Sequence, residues 1–143
     1  MRHFVFTLTV AFSAIFSTDD AHNGIALGTK STLRFDKTIT NIGNGYDPST
    51  GIFTAPVTGV YGFSVNMMAP LRVTHASVGL AIIRRGALLD EVWAAGPDVD
   101  DQGSTDVTTH LTAGEQVWVR QAAGDAVRGG YWTVLTGYLL QPQ

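Results

Sequence analysis

The sequence predicts an all-β sandwich, and three observations carry that expectation. Glycine is frequent, with 16 in 143 residues, while charged residues make up only 15%. Turn signals built on Gly, Pro, Asn and Asp recur at short intervals and separate apolar runs that alternate with a period of two. No window carries a 3.6-residue apolar stripe, so helices are not expected. Roughly eight to ten short strands punctuated in this way indicate a sandwich or barrel.

The first strand is expected near residues 9–17. Arg2 followed by the apolar run 4–16 imitates a secretory leader. Alternation argues for a strand instead: Val10, Phe12, Ala14 and Phe16 form an apolar face against Ala11, Ser13, Ile15 and Ser17. No clean small-x-small cleavage site follows. Residues 42–51, with Gly43, Gly45, Asp47, Pro48 and Gly51, read as a loop, and Pro56 and Gly59 bracket the next break. In 60–68, Tyr61, Phe63, Val65 and Met67 point one way and Gly62, Ser64 and Asn66 the other. Residues 77–83 and 88–93 form a hairpin about Gly86, with Arg84 and Arg85 at its entry. An acidic loop at 97–103 precedes three further strands at 105–111, 116–121 and 131–140.

Composition excludes several functions. The net charge of −3, with nine Lys and Arg scattered among twelve acids, offers no basic patch for nucleic acid. The absence of cysteine removes disulfides, thiolate nucleophiles and Cys-based zinc sites together. No stretch is long and apolar enough to be expected to span a membrane.

The segment 35–65 is specific. Phe35, Asn41, Tyr46, Phe53, Gly59, Tyr61 and Phe63 recur in order within LRFDKTITNIGNGYDPSTGIFTAPVTGVYGFSV. This pattern resembles the signature of the globular C1q domain of the C1q/TNF-like superfamily, with Val65 at a position that is usually aromatic. VAFSA at 10–14 resembles the family's first strand, LTAGEQVWVR at 111–120 its penultimate-strand motif and TGYLL at 136–140 its closing strand. The likeness is greatest to stand-alone invertebrate C1q-domain proteins. It covers nearly the whole chain and implies one domain over 1–143: a ten-stranded jelly roll of two five-stranded antiparallel sheets, assembled as a homotrimer. No Gly-X-Y run is present, so no collagen-like stalk is expected. The aromatics Tyr61, Phe63, Trp118, Trp132 and Tyr138 are available either to the core or to a subunit contact.

Catalytic signals are absent. His3, His22, His75 and His110 sit at no metal-ligand spacing from one another and beside no evident nucleophile. No Gly-x-Ser-x-Gly elbow, Walker loop or dinucleotide fingerprint occurs, and the pair Asp19-Asp20 reads as solvated loop acids. An enzyme is not expected. Asp98, Asp100, Asp101 and Asp106 offer hard oxygen ligands for calcium, although their spacing is not that of an EF-hand and a solvated acidic loop is the favoured reading. The resemblance adds that some trimers of the family hold calcium near the apex. Arg72, Arg84, Arg85 and Arg128 are candidates for an anionic ligand, since a guanidinium fork matches a carboxylate; solubilising surface arginines are the plainer reading. Tyr131, Trp132 and Tyr46 are candidates to stack on a sugar, against core or interface roles.

The resemblance therefore points to a secreted recognition protein that binds glycans, sialylated or otherwise anionic, or microbial surface patterns in innate immunity. The alternatives are a TNF-like signalling ligand for a protein receptor and a structural surface or matrix head.

Overall fold

The computed structural model describes residues 8–71, 77–95 and 101–143. Where alternating apolar side chains can all turn to one side, a strand forms. In β6 (Gly59–Met68), Tyr61, Phe63, Val65 and Met67 are all buried. In β1 (Ala11–Ile15) and its flanks, Val10, Phe12, Ala14 and Phe16 are buried as well. The apolar N-terminal run is thus part of the sandwich from Val10 onward.

The remaining strands are β2 (Ile25–Ala26), β3 (Lys37–Ile42), β4 (Tyr46–Asp47), β5 (Ile52–Thr54), β7 (Ser77–Arg84), β8 (Ala87–Ala95), β9 (Gln102–Leu111), β10 (Gln116–Ala123), β11 (Ala126–Val127) and β12 (Val134–Pro142). Ten of them form two five-stranded antiparallel sheets, ordered β3-β1-β12-β6-β9 and β4-β5-β10-β7-β8. β2 and β11 pair separately as a small ribbon. The result is the expected jelly roll.

The signature residues of segment 35–65 lie where the two sheets meet. Phe53 of the second sheet packs against Phe12 at 5.2 Å, Phe63 at 5.4 Å and Tyr61 at 5.6 Å, all from the first sheet. Tyr46 stacks on Phe12 at 4.7 Å, and its hydroxyl donates to Phe35 O at 2.8 Å. Burial pushes the Tyr46 phenol well above its ordinary range, so it remains a neutral donor. Asn41 explains its place in the pattern: Nδ2 donates to Tyr46 O and Oδ1 accepts from Tyr46 N, closing the turn between β3 and β4. At Gly59 an added Cβ would sit 2.4 Å from Gln141 O, so only glycine lets β12 approach. Val65, the departure from the aromatic pattern, is fully buried on β6.

Three expectations are corrected. Residues 42–51 are not wholly loop, because Tyr46, a core residue as the favoured reading had it, carries a short strand, β4. β9 begins at Gln102, inside the region read as acidic loop, and pairs along its whole length with β6. Residues 130–132 form a 3-10 turn ahead of β12 and not the start of a strand, because Gly130 takes φ +56° and turns the chain.

Candidate functional site

Three surfaces emerge from this framework. On the outer face of the first sheet, register aligns Ile42, Ala11, Tyr138, Gly62 and Thr108 in one cross-strand row. The next row is Thr40, Ser13, Thr136, Ser64 and Asp106. The centre is made of small side chains. The phenol end of the Tyr138 ring lies over Gly62, where an added Cβ would meet Cζ at 2.8 Å. Ile42 is 51% exposed and Tyr138 40%. A flat face with small residues at its centre, apolar groups in one row and little charge has the chemistry of a subunit contact.

A second surface gathers at the turn before β12. Arg128 Nε and Nη2 donate to the two carboxylate oxygens of Asp19 at 3.0 and 2.7 Å, and Gly129 N donates to the same carboxylate at 2.9 Å. The hydrogen bond from Arg128 holds the Asp19 carboxyl below its usual pKa, with desolvation opposing and the Gly129 amide assisting. The guanidinium lies 5.0 Å from the centre of the Trp132 ring, and Trp132 packs on Tyr131 at 4.9 Å with a 32° tilt. Tyr131 is 69% exposed and Trp132 37%. An ion pair thus fixes a turn that presents two aromatic rings to solvent.

The third surface is at the tip of the β7–β8 hairpin. Arg85 and Gly86 both take positive φ, +54° and +74°, which gives the two-residue turn that suits a right-twisted hairpin. Arg85 Nε pairs with Glu115 Oε2 at 2.8 Å. The Glu115 carboxyl is held below its ordinary value, chiefly by the Thr112 amide, with the charge of Arg85 adding to it. Arg85, residues 112–116 and Trp118 line an open cavity of about 450 Å³.

Among the described residues, the sequence-predicted site residues do not form one cluster. Arg84 reaches across the sandwich edge, where Nη1 donates to Thr109 Oγ1 at 3.1 Å and His110 O at 3.0 Å; it ties β7 to β9. Arg128 is buried and its fork is taken by Asp19, so it is not a surface arginine, and Asp19 is not merely a solvated loop acid. Arg85 lies at the hairpin tip, away from Tyr131, and Arg72 lies outside the described residues. Of the candidate aspartates, Asp101 and Asp106 are the described ones, and they have different surroundings. Asp101 accepts from Ala95 N, Asp106 stands midway along β9 opposite Ser64, and Asp98 and Asp100 lie outside the described residues. Among the described residues no group of three or more His, Cys, Asp or Glu side chains could hold a metal ion. His22 and His110 are exposed, the latter beside Gln143; His3 and His75 lie outside the described residues.

Of the five aromatics left between core and interface, Tyr61 and Phe63 are core. Tyr138 lies on the outer face of the first sheet, and Trp118 on that of the second, since Val117 and Val119 on either side of it turn inward. Trp132 borders a small cavity with Asn66, Gln102 and Ser104. Glu115, Gln116 and Arg120 were missed, although the alternation of 116–121 placed Gln116, Trp118 and Arg120 on one face.

Comparison with known proteins agrees with this architecture. The C1q domain family matches residues 11–140. Human complement C1q and tumor necrosis factor-related proteins 9A and 9B are 28% and 27% identical over 113 residues, 76% of this chain. The chain spans about a third of the length of these relatives, the match covering 33% of each. Among solved structures, the globular domain of zebrafish complement 1qA superposes with a TM-score of 0.74 at 18% identity, covering 94% of this chain and 99% of that one. The Eiger TNF of S. frugiperda gives 0.74 at 15% identity, covering 96% of each chain. Murine APRIL gives 0.69 at 15% identity, covering 92% of this chain and 99% of that one. No helix among the described residues is long and apolar enough to cross a membrane. With its signature residues packed at the junction of two five-stranded sheets and the family match running from β1 through β12, the chain belongs to the C1q domain family.

Proposed function

We propose that the chain is a secreted recognition head that binds glycans on cell or microbial surfaces as a homotrimer, and that it acts by binding and not by catalysis. The observation that carries the reading is the solvent-facing pair Tyr131–Trp132, held over the Arg128–Asp19 ion pair. Aromatic rings fixed at the surface offer apolar faces to the C–H side of a pyranose at little cost in side-chain entropy. Exposed aromatics of this size otherwise lose apolar burial without return.

The outer face of the first sheet supports self-association. Ile42, Tyr138 and the small residues between them suit the close approach of a second copy. Three weak sites on one rigid head gain avidity from geometry even where each is only about millimolar. A glycan array probed with the purified protein tests the reading, with competition by free sugar and with Tyr131→Ala as the variant. Retention of a sugar class that the variant loses supports it; retention of none sinks it.

A second reading, a signalling ligand for a protein receptor, is favoured by the likeness in fold to Eiger TNF and APRIL. It predicts saturable binding to protease-sensitive receptors on cells and indifference to sugars.

A further inference from the structure

The middle strand of the second sheet carries chemistry that the aromatic pair does not. β10 turns Val117 and Val119 into the core and leaves Gln116, Trp118 and Arg120 outward. An amide, an indole and a guanidinium therefore stand in line along about 13 Å of strand. Register sets Trp118 between Ile52 and Ile83, and Arg120 between Thr32 and Ala81. Ile83 and Ala81 share this outer face, yet both are buried. The long side chains beside them lie down on the sheet and cover them.

Arg120 differs from the other arginines already described. The side chains of Arg84, Arg85 and Arg128 each have acceptors, whereas the Arg120 guanidinium makes no hydrogen bond or ion pair among the described residues. Its Nε is buried all the same. A buried donor left without an acceptor is costly in a folded protein and such groups are uncommon, so this guanidinium stands apart from the other arginines described. Beside it, Trp118 forms one wall of the 450 Å³ cavity that Arg85 and Glu115 close at the hairpin tip. That volume lies within the range of small-ligand sites.

We propose that Gln116, Trp118 and Arg120, with the adjoining cavity, form a subsite for a carboxylated pyranose of the uronic or sialic acid type. The apolar face of the ring lies on Trp118, the carboxylate takes the terminal guanidinium nitrogens of Arg120, and hydroxyls exchange hydrogen bonds with the Gln116 amide. A neutral sugar leaves Arg120 unanswered, and a bare phosphate leaves Trp118 unused. Asp47 and Glu91 flank the strip on the same sheet, so a densely charged polyanion is repelled while a single aligned carboxylate is accepted. The subsite rests on the glycan-recognition reading but on different residues, and it lies on the sheet opposite the proposed subunit contact. It therefore stays open in the assembly.

Titration calorimetry of the whole chain with tetragalacturonate, and with maltotetraose as the neutral counterpart, tests the proposal. The acidic oligosaccharide is expected to bind and the neutral one to bind at least tenfold more weakly here. Arg120→Gln should weaken tetragalacturonate about tenfold, the scale of one charge-assisted hydrogen bond. Trp118→Leu should weaken both sugars. Lys37→Gln, the same change of charge on the other sheet, should match the wild type. Because the Arg120 side chain has no hydrogen-bond partner to lose among the described residues and glutamine keeps part of its stem, the variant should melt close to the wild-type temperature, which separates lost binding from lost fold. Equal affinities for Arg120→Gln and wild type, or no binding of tetragalacturonate, would overturn the subsite. The glycan array then decides separately whether the chain binds other sugars.

Discussion

The ring of Tyr138 lies across the backbone of Gly62, so close that a methyl at Gly62 would stand 2.8 Å from Cζ and 2.9 Å from the hydroxyl. Trp93 lies over Gly79 on the second sheet in the same way, with 2.9 Å to an added Cβ. In both places a strand glycine gives up its own packing and an aromatic neighbour supplies it. Trp93 is further tied by its indole N–H to Glu91, whereas no such bond holds Tyr138 among the described residues. The Tyr138 ring is thus held by shape alone.

Gly62→Ala should therefore separate assembly from folding. The displaced ring is partly exposed and free to swing, and alanine suits a strand better than glycine, so unfolding stability should stay within about 1 kcal/mol of wild type. The lifted ring no longer fits a flat contact, and sedimentation should show trimer giving way to monomer. An unchanged trimer would remove this face from the assembly.

Phe53→Ala tests the core. Its ring bridges the sheets through Phe12, Tyr61 and Phe63, and no neighbour can collapse into the space without breaking a stacked pair. Urea denaturation should show a loss of about 3–5 kcal/mol.

Arg84→Ala should cost stability and spare recognition. Its bonds to Thr109 and His110 tie the two sheets along one edge, and their loss should amount to about 1–2 kcal/mol in the same assay. Glycan binding should be unaffected. A variant that lost binding with its stability intact would return Arg84 to the ligand site.

Acid should loosen the turn that carries Tyr131 and Trp132. The Asp19 carboxyl is depressed by Arg128, so its contribution is complete above the unfolded-state value near 4 and is lost as pH falls through the lower folded-state value. Asp19→Asn should cost about 2 kcal/mol at neutral pH and flatten the fall in stability below pH 4. Thermal melts at a series of pH values measure both effects.

The sequence reads well where structure is local. Alternation in β6 and around β1 predicted which side chains turn inward, and the spaced aromatics from Phe35 to Phe63 identified the family before any strand was paired. What it hid is long-range. Arg128 and Asp19 are 109 positions apart, and Arg84 meets Thr109 across two strands, so nothing local marked either arginine as spoken for. Nearness in sequence offered Asp101 and Asp106 to one cation, but an extended strand carries Asp106 away from Asp101 at about 3.3 Å per residue. Arg120 shows the converse. Its alternation with Val119 was legible, but the lack of a side-chain partner among the described residues is a property of the folded surface alone.

Binding of the purified protein to a glycan array separates sugar recognition from receptor recognition in one measurement. A restricted set of sugars, carboxylated ones among them, should be retained and displaced by the free saccharide. An array on which no sugar is retained would contradict glycan recognition and leave a receptor-binding ligand of the same fold.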